Sequence, residues 1–300
     1  MRKETLNDHA ERMLRVLVFI QQNLDRTLLL DEVAAVAHFS PYHFHRIFRG
    51  MVGESLQAHL RRLRLERAAG QLRYTDDSVL RIALDAGFES HAAFSRAFKA
   101  LSGCSPTDWR SGATGCGLAP APAGVRYGGT AVIDDFHPLT DGGESMEVRI
   151  VKQNPRPVAF VRHIGPYDQC GPAWEKLCQR LGREGKLAGG PEFIGLCHDD
   201  PEVTDPQKIR YDACVVVDEQ YGPAGEIGVQ TIPGGDYAIT THKGPLGGLK
   251  ETYANLFGQW LPGSGRRTRN EPSFEIYLND PNTTPPEDLL VDIYVPLEGR

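Results

Sequence analysis

Ser40-Pro-Tyr-His-Phe-His-Arg-Ile-Phe48 is the stretch that decides the fold, because the chain repeats it at an offset of 50. Ser40, Phe44, Arg46, Phe48, Arg49, Gly53 and Ser55 recur as Ser90, Phe94, Arg96, Phe98, Lys99, Gly103 and Ser105. Each copy follows a short apolar segment with helical spacing, residues 31–37 and 78–86, and a tight turn. The serine hydroxyl can cap the helix that starts there, and Pro41 sits at the favoured first helical position. Helix, tight turn and capped helix make the helix-turn-helix plan. A longer helix over about residues 56–72 joins the two units.

Helical geometry then sorts the side chains. In the first copy Phe44, Ile47, Phe48 and Met51 form the inward stripe, and Tyr42, His45, Arg46 and Arg49 fall on the other face. In the second copy Phe94, Ala97, Phe98 and Leu101 point inward, and His91, Ala92, Ser95, Arg96 and Lys99 outward. Arg, His and hydroxyl groups on the first two turns of a helix suit the DNA major groove. There arginine can bond guanine bidentately, and a side chain as small as Ala92 can touch a thymine methyl. Arg61, Arg62, Arg64 and Arg67 on the joining helix are open to either phosphate or water.

The charge is distributed accordingly. Residues 1–110 carry 16 Lys+Arg against 13 Asp+Glu, and the remaining 190 carry 17 against 26, so the net charge of −6 hides a basic first third. That asymmetry fits two domains with different partners. With 40% hydrophobic and 24% charged residues, collagen-like, disordered and disulfide-scaffold classes are excluded. The apolar run at residues 13–20 is broken by Arg15 and is too short to span a membrane. Residues 1–12 are polar and of mixed charge, unlike a signal peptide, so a cytoplasmic protein is expected. The six cysteines form no CxxC pair and no zinc spacing, and read as buried or idle thiols. Cys116 is the best placed for redox sensing. P-loop, GxGxxG and GxSxG motifs are absent, so no cofactor, no metal and no enzymatic activity is expected.

From 111 to 145 glycine and proline dominate, and the stretch reads as a linker, with a short strand or docking segment at 127–136. After it β-branched and aromatic runs alternate with two helical segments, which reads as α+β. This part holds a second repeat, at an offset of 79. Ala159, His163, Gly165, Pro166, Trp174 and Leu177 match Ala238, His242, Gly244, Pro245, Tyr253 and Leu256. Strand, Gly-Pro turn and amphipathic helix, twice over, give a pseudo-twofold domain with a cleft between its halves. His163 and His242 are repeat positions at strand ends rather than metal ligands. In Phe274-Glu-Ile-Tyr-Leu-Asn279 strict alternation sends Phe274, Ile276 and Leu278 to the core and Glu275, Tyr277 and Asn279 to the other face. A carboxylate beside a phenol, in a domain holding Tyr167, Trp174, Phe193, Tyr211, Tyr237, Tyr253 and Trp260, suits a flat or cationic organic ligand.

Residues 8–110 resemble the DNA-binding domain of the AraC/XylS family of transcription regulators. The resemblance rests on Ser40 to Phe48, Arg62-Leu-Arg-Leu-Glu-Arg-Ala68, Ile82-Ala-Leu-Asp-Ala-Gly-Phe88, Phe94-Ser-Arg-Ala-Phe-Lys99 and Gly103-Cys-Ser-Pro-Thr-Asp-Trp-Arg110. It implies two rigidly joined helix-turn-helix units, with Tyr42, His45 and Arg46, then His91, Ala92, Ala93 and Arg96, as base-reading positions. His38 stands where the family usually has glycine in the first turn.

Residues 146–298 resemble the GyrI-like effector-binding domain. The matching stretches are Val161-Arg-His-Ile-Gly-Pro-Tyr167, Arg210-Tyr-Asp-Ala213, Ile232-Pro-Gly-Gly-Asp-Tyr-Ala238, His242-Lys-Gly-Pro245, Trp260-Leu-Pro262 and Glu275-Ile-Tyr277. In that family a strand glutamate binds cationic or aromatic ligands, and Glu275 matches it. Leu246 replaces the usual tyrosine in the second Gly-Pro turn. The expectation is an all-α double helix-turn-helix domain plus an α+β domain built from a pseudo-twofold repeat. Its partners would be double-stranded DNA, a small-molecule effector bound by Tyr167, Trp174, Tyr211, Trp260, Glu275 and Tyr277, and RNA polymerase. Two alternatives stay open for the second domain: a small-molecule hydrolase using Glu275 as general acid or base, or a protein-binding module.

Overall fold

The computed structural model describes residues 2–128, 133, 136–139, 146–201 and 204–299, with side chains from residue 8 onward. The expected segment at 127–136 falls mostly outside this set. Two compact units emerge: Asn7–His38 with Phe48–Thr140, and Met1–Leu6 with Phe39–Ile47 and Asp141–Arg300.

The first unit is helical. It contains α1 (Arg2–Gln22) from Asn7 onward, α2 (Leu30–Val36), α3 (Pro41–Val52) from Phe48 onward, α4 (Leu56–Tyr74), α5 (Val79–Asp85), α6 (His91–Ser102) and α7 (Pro106–Ser111). Serines start four of these helices, each accepting a backbone N–H at the third position on: Ser55 from Ala58, Ser78 from Arg81, Ser90 from Ala93 and Ser105 from Asp108. Ser40 departs from the expected cap: its hydroxyl donates to Asn270 Oδ1 at 3.1 Å within the second unit. Around the second helix-turn-helix, Leu65, Ala69, Leu72, Ile82, Phe94, Phe98 and Trp109 pack into one buried cluster. The Trp109 indole N–H donates to Ala69 O at 2.9 Å, which satisfies its polar edge inside that cluster.

The two turns differ by one residue. Gly87, at φ +80°, reverses the chain after α5, and His38, at φ +54°, does the same after α2. From there Ser90 is three residues on but Ser40 only two, so the repeat offset is 49 before the turn and 50 after it. The Arg12 guanidinium donates to Ala37 O at 2.7 Å and also to His38 O, holding the first turn through its carbonyls. The His38 side chain is exposed. A left-handed non-glycine residue costs about 1–2 kcal/mol, and glycine loses about 0.5–1 kcal/mol more backbone entropy on folding. His38→Gly should therefore stabilise this unit by about 0.5–1 kcal/mol. A urea midpoint that moves down rather than up would contradict that strain.

Arg62 is buried, contrary to the two surface roles open to it. It pairs with Glu54 at 2.6 Å and Glu66 at 2.8 Å, and donates to Val125 O at 2.9 Å. Arg64 and Arg67 donate to the carbonyls of Leu24, Arg26 and Asp85, so they too serve the fold. Cys104 and Cys116 are joined in a disulfide, which corrects the reading of all six cysteines as unpaired thiols. Gly103, in the left-handed conformation, ends α6, and Gly117 N→Ser102 O (3.1 Å) and Ala119 N→Leu101 O (3.0 Å) lay the following chain alongside that end. Local backbone pairing thus brings together two cysteines that sequence spacing leaves apart.

The second unit is one eight-stranded antiparallel sheet in the order β1-β6-β8-β7-β3-β4-β2-β5. The strands are β1 (Arg149–Gln153), β2 (Arg156–Ile164), β3 (Phe193–Cys197), β4 (Arg210–Val216), β5 (Gly228–Ile232), β6 (Gly235–Lys243), β7 (Ser273–Tyr277) and β8 (Leu290–Leu297). Helices α8 (Gly171–Arg183) and α9 (Leu249–Asn255) follow the Gly-Pro turns after β2 and β6. β1 and β2 map onto β5 and β6 residue for residue at the offset of 79, and β3 onto β7 at 80. Exchanging the halves reverses the strand order without changing it, so the pseudo-twofold axis lies between β7 and β3. Each half also lends its first strand to the other: β1 pairs with β6, and β5 with β2.

His163 and His242 tie off the Gly-Pro turns. Their Nε2 atoms lie 3.0 and 3.1 Å from the carbonyls of Pro166 and Pro245. Gly165 and Gly244 stand at φ +144° and +128°, which an L side chain resists. Phe274 and Ile276 are buried as alternation predicts, but Leu278 is 51% exposed. The pleat ends at Tyr277, so Leu278 no longer follows the period.

Candidate functional site

Glu275 lies at the pseudo-twofold axis, and its repeat mate is its direct cross-strand partner, Gly195. One half therefore supplies a carboxylate and the other an absence of side chain. The space over Gly195 is filled by two phenols: a Cβ there would stand 2.8 Å from Tyr277 Oη and closer still to Tyr211 Oη. Those hydroxyls are 3.0 Å apart. Tyr277 donates to Glu275 Oε2 at 3.0 Å, and Tyr253 on α9 donates to Oε1 at 3.0 Å.

Aromatic rings wall the carboxylate. Trp174 on α8 stands edge-on to Tyr277 and Tyr211, at 5.9 and 6.3 Å, and its indole N–H donates to Tyr211 Oη at 3.2 Å. Tyr167 meets Tyr211 edge-on at 5.7 Å and donates to Asp199 O. The apolar stripe Ala173, Leu177 and Leu181 fixes α8 on this face of the sheet. On the opposite face Tyr237, Phe274 and Tyr294 pack together, which fixes the direction in which Glu275 points.

Glu275 is only 6% exposed. Burial pushes its pKa above the ordinary carboxylate range, against the phenol hydrogen bonds and the charge of Arg46. Burial likewise raises the hydroxyls of Tyr211, Tyr253 and Tyr277, so all three remain donors. The charged Glu275 is thus a desolvated anion in an aromatic box, an environment that favours a cation.

Of the expected effector residues, the structure brings Tyr167, Trp174, Tyr211, Glu275 and Tyr277 together. Trp260 is half-buried on the π-helical turn Leu256–Trp260. Among the described residues it has no ring contact or hydrogen bond to this group. Tyr253 was missing from the expected set, although it is the repeat mate of Trp174 at the offset of 79. Cys197, whose thiol lies 3.7 Å from Glu275 Oε1, was missed as well.

Of the expected DNA readers, His91, Ala92, Arg96 and Lys99 are exposed on α6, and Ala93 is partly so. In α3 the periodicity predicts an outward face, and Tyr42 and Arg49 are half-buried there. His45 and Arg46 correct that prediction: they are covered, at 2% and 11% side-chain exposure. His45 Nδ1 lies 3.0 Å from Asp200 Oδ2, and the Arg46 guanidinium carbon lies 4.0 Å from the centre of the Tyr253 ring. An acid and a phenol ring within the same compact unit give these polar groups partners away from water. Among the described residues no cluster of three or more His, Cys, Asp or Glu could hold a metal ion, and no helix is long and apolar enough to cross a membrane.

Comparison with known proteins agrees with this architecture. Residues 146–298 match the family described as GyrI-like small molecule binding domain, and residues 33–112 match a helix-turn-helix domain. The Transposon Tn10 TetD protein of Escherichia coli is 38% identical over 102 residues, covering 34% of this chain and 74% of that protein. The HTH-type transcriptional activator AarP of Providencia stuartii is 39% identical over 100 residues, covering 33% of this chain and 74% of its own. Transcriptional regulator Rob of Salmonella typhimurium is 25% identical over 279 residues, 92% of this chain and 93% of that protein. The chain belongs to the AraC/XylS family of DNA-binding transcriptional regulators, with a GyrI-like small-molecule-binding domain as its C-terminal half.

Proposed function

We propose that residues 8–110 read DNA, that 111–145 connect, and that 146–298 sense an aromatic organic cation held by Glu275. The observation that carries the ligand class is a buried carboxylate at the pseudo-twofold axis, bonded by two phenols and walled by Trp174, Tyr167 and Tyr211. Both oxygens of Glu275 are already bonded by phenols, and burial holds the thiol beside it, Cys197, in its protonated form. That supports binding rather than turnover. The protein works in the cytoplasm, and RNA polymerase is the partner that reads its position on DNA.

Glu275→Gln tests the sensor. It keeps the shape and removes the charge, so binding of benzyltrimethylammonium should weaken by about 2 kcal/mol. A neutral ligand of the same shape should lose much less. Affinity of the parent protein for the cation should rise as pH climbs through the raised Glu275 titration, because only the ionised acid attracts it. The Gln variant should show no such rise. Equal losses for charged and neutral ligands would sink the charge argument.

Arg96→Ala tests the reader. Loss of a bidentate guanine contact should cost about 1–3 kcal/mol and relax base preference at one position. Uniform weakening on every sequence would make Arg96 a phosphate contact instead.

A further inference from the structure

Residues 39–47 form part of the same compact unit as the sheet, and they carry a cation into the aromatic group around Glu275. The Arg46 guanidinium lies over the Tyr253 ring, with its carbon 4.0 Å from the ring centre and 5.8 Å from that of Phe257. Tyr253 is the phenol that donates to Glu275 Oε1. Arg46 Nε stands 3.9 Å from Asp200 Oδ2, and the same carboxylate oxygen lies 3.0 Å from His45 Nδ1. His43, fully buried, stacks on Phe257 at 5.2 Å. Burial alone would disfavour the charge on Arg46. The Tyr253 ring beneath it and the Asp200 carboxylate beside it offset that and hold its pKa above the ordinary arginine value.

We infer that Arg46 is a resident ligand of the sensor: its planar cation fills the place a cationic effector takes, so guanidinium and amidinium compounds are the class that competes best for it. The inference rests on the reading of Glu275 and its phenols as a cation site. It adds that the occupant in the free protein comes from the recognition helix itself. Arg46 cannot sit over Tyr253 and contact a base at once. An effector that takes over the ring and the Glu275 carboxylate releases it, so effector and DNA binding favour each other, reciprocally.

A resident cation weakens the apparent affinity of its competitor by the fraction of time the site is free. If Arg46 fills the site about nine-tenths of the time, its removal should tighten binding about tenfold. The experiment titrates benzamidine into the full-length protein and into Arg46→Gln, Asp200→Asn and Glu275→Gln variants, each checked for a cooperative melt. Trp174 fluorescence and calorimetry supply the readouts. Arg46→Gln is expected to bind benzamidine about tenfold tighter than the parent, Asp200→Asn to move the same way by less, and Glu275→Gln to bind weakly. Equal affinity in parent and Arg46→Gln, with loss in Glu275→Gln, would overturn the resident-ligand inference and leave the cation site standing. Benzamidine binding unaffected by Glu275→Gln, or absent from every variant, would overturn both. Should Arg46→Gln fail to fold, Asp200→Asn alone decides, since it loosens the resident without removing it.

Discussion

Arg62→Ala is expected to lower the stability of the helical unit by about 3–5 kcal/mol, the range for stripping one partner from a buried ion pair. The Arg62 side chain is only 9% exposed and faces Glu54 and Glu66, whose side chains are 13% and 3% exposed. His59 Nδ1 shares Glu54 Oε1 at 2.8 Å, and the backbone N–H of Tyr127 donates to Glu66 Oε2 at 2.7 Å. Removing the guanidinium leaves two carboxylates in low dielectric and a buried carbonyl, Val125 O, without this donor. Burial tends to raise the pKa of Glu54, but the hydrogen bonds from His59 and Arg62 win and hold it below the usual carboxylate value. A depressed acid contributes stability above its unfolded pKa and loses it as pH falls through the folded one. The penalty of Arg62→Ala should therefore be largest near neutral pH and shrink in acid, where the orphaned carboxylates take up protons. Urea unfolding at two pH values measures it. A loss under about 1 kcal/mol at neutral pH would mean that the network is solvated.

Gly195→Ala should damage the sensor more than any loss of one wall ring. The new methyl would stand 2.8 Å from Tyr277 Oη and nearer to Tyr211 Oη, inside any real carbon–oxygen contact. Tyr211 is 2% exposed and bonded by both Trp174 and Tyr277, so its ring has no room to retreat. Overpacking of this kind costs about 1–3 kcal/mol of stability. The phenols that hold Glu275 move with it, so cation affinity should fall by more than about tenfold. Circular dichroism should still report the sheet, since a residue with an ordinary strand conformation loses no backbone freedom. Binding of benzyltrimethylammonium that survives Gly195→Ala unchanged would place the ligand elsewhere.

Both repeats were legible because each recurs at a fixed spacing with its chemistry intact. The offset of 50 yields two helix-turn-helix units, and the offset of 79 yields two strand–turn–helix units. His38 was legible too: a residue where a left-handed glycine belongs does adopt positive φ. The exchange of β1 and β5 between halves was not, because alternation assigns faces and says nothing about neighbours. Arg62 was read as a surface charge, although it shares a helical stripe with His59, Leu63 and Glu66, all of them buried. Three polar residues on a buried stripe signal a satisfied internal network, and charge counting misses that. His45 and Arg46 show the same limit: periodicity names a face, and only tertiary structure says what covers it. Tyr253 was recoverable, since the offset of 79 pairs it with Trp174, whereas Gly195 meets Glu275 only at the offset of 80 that the strands reveal.

The most direct test of a sequence-specific, effector-responsive reader is anisotropy with duplexes from upstream of its own gene, against non-specific competitor and across salt concentrations. It should be run with and without benzamidine. One duplex should bind saturably and survive competitor. With about six phosphates neutralised, log affinity should fall with log salt at a slope of about −5. Benzamidine should tighten that binding. Weak and equal binding to every duplex, unchanged by the cation, would contradict the account.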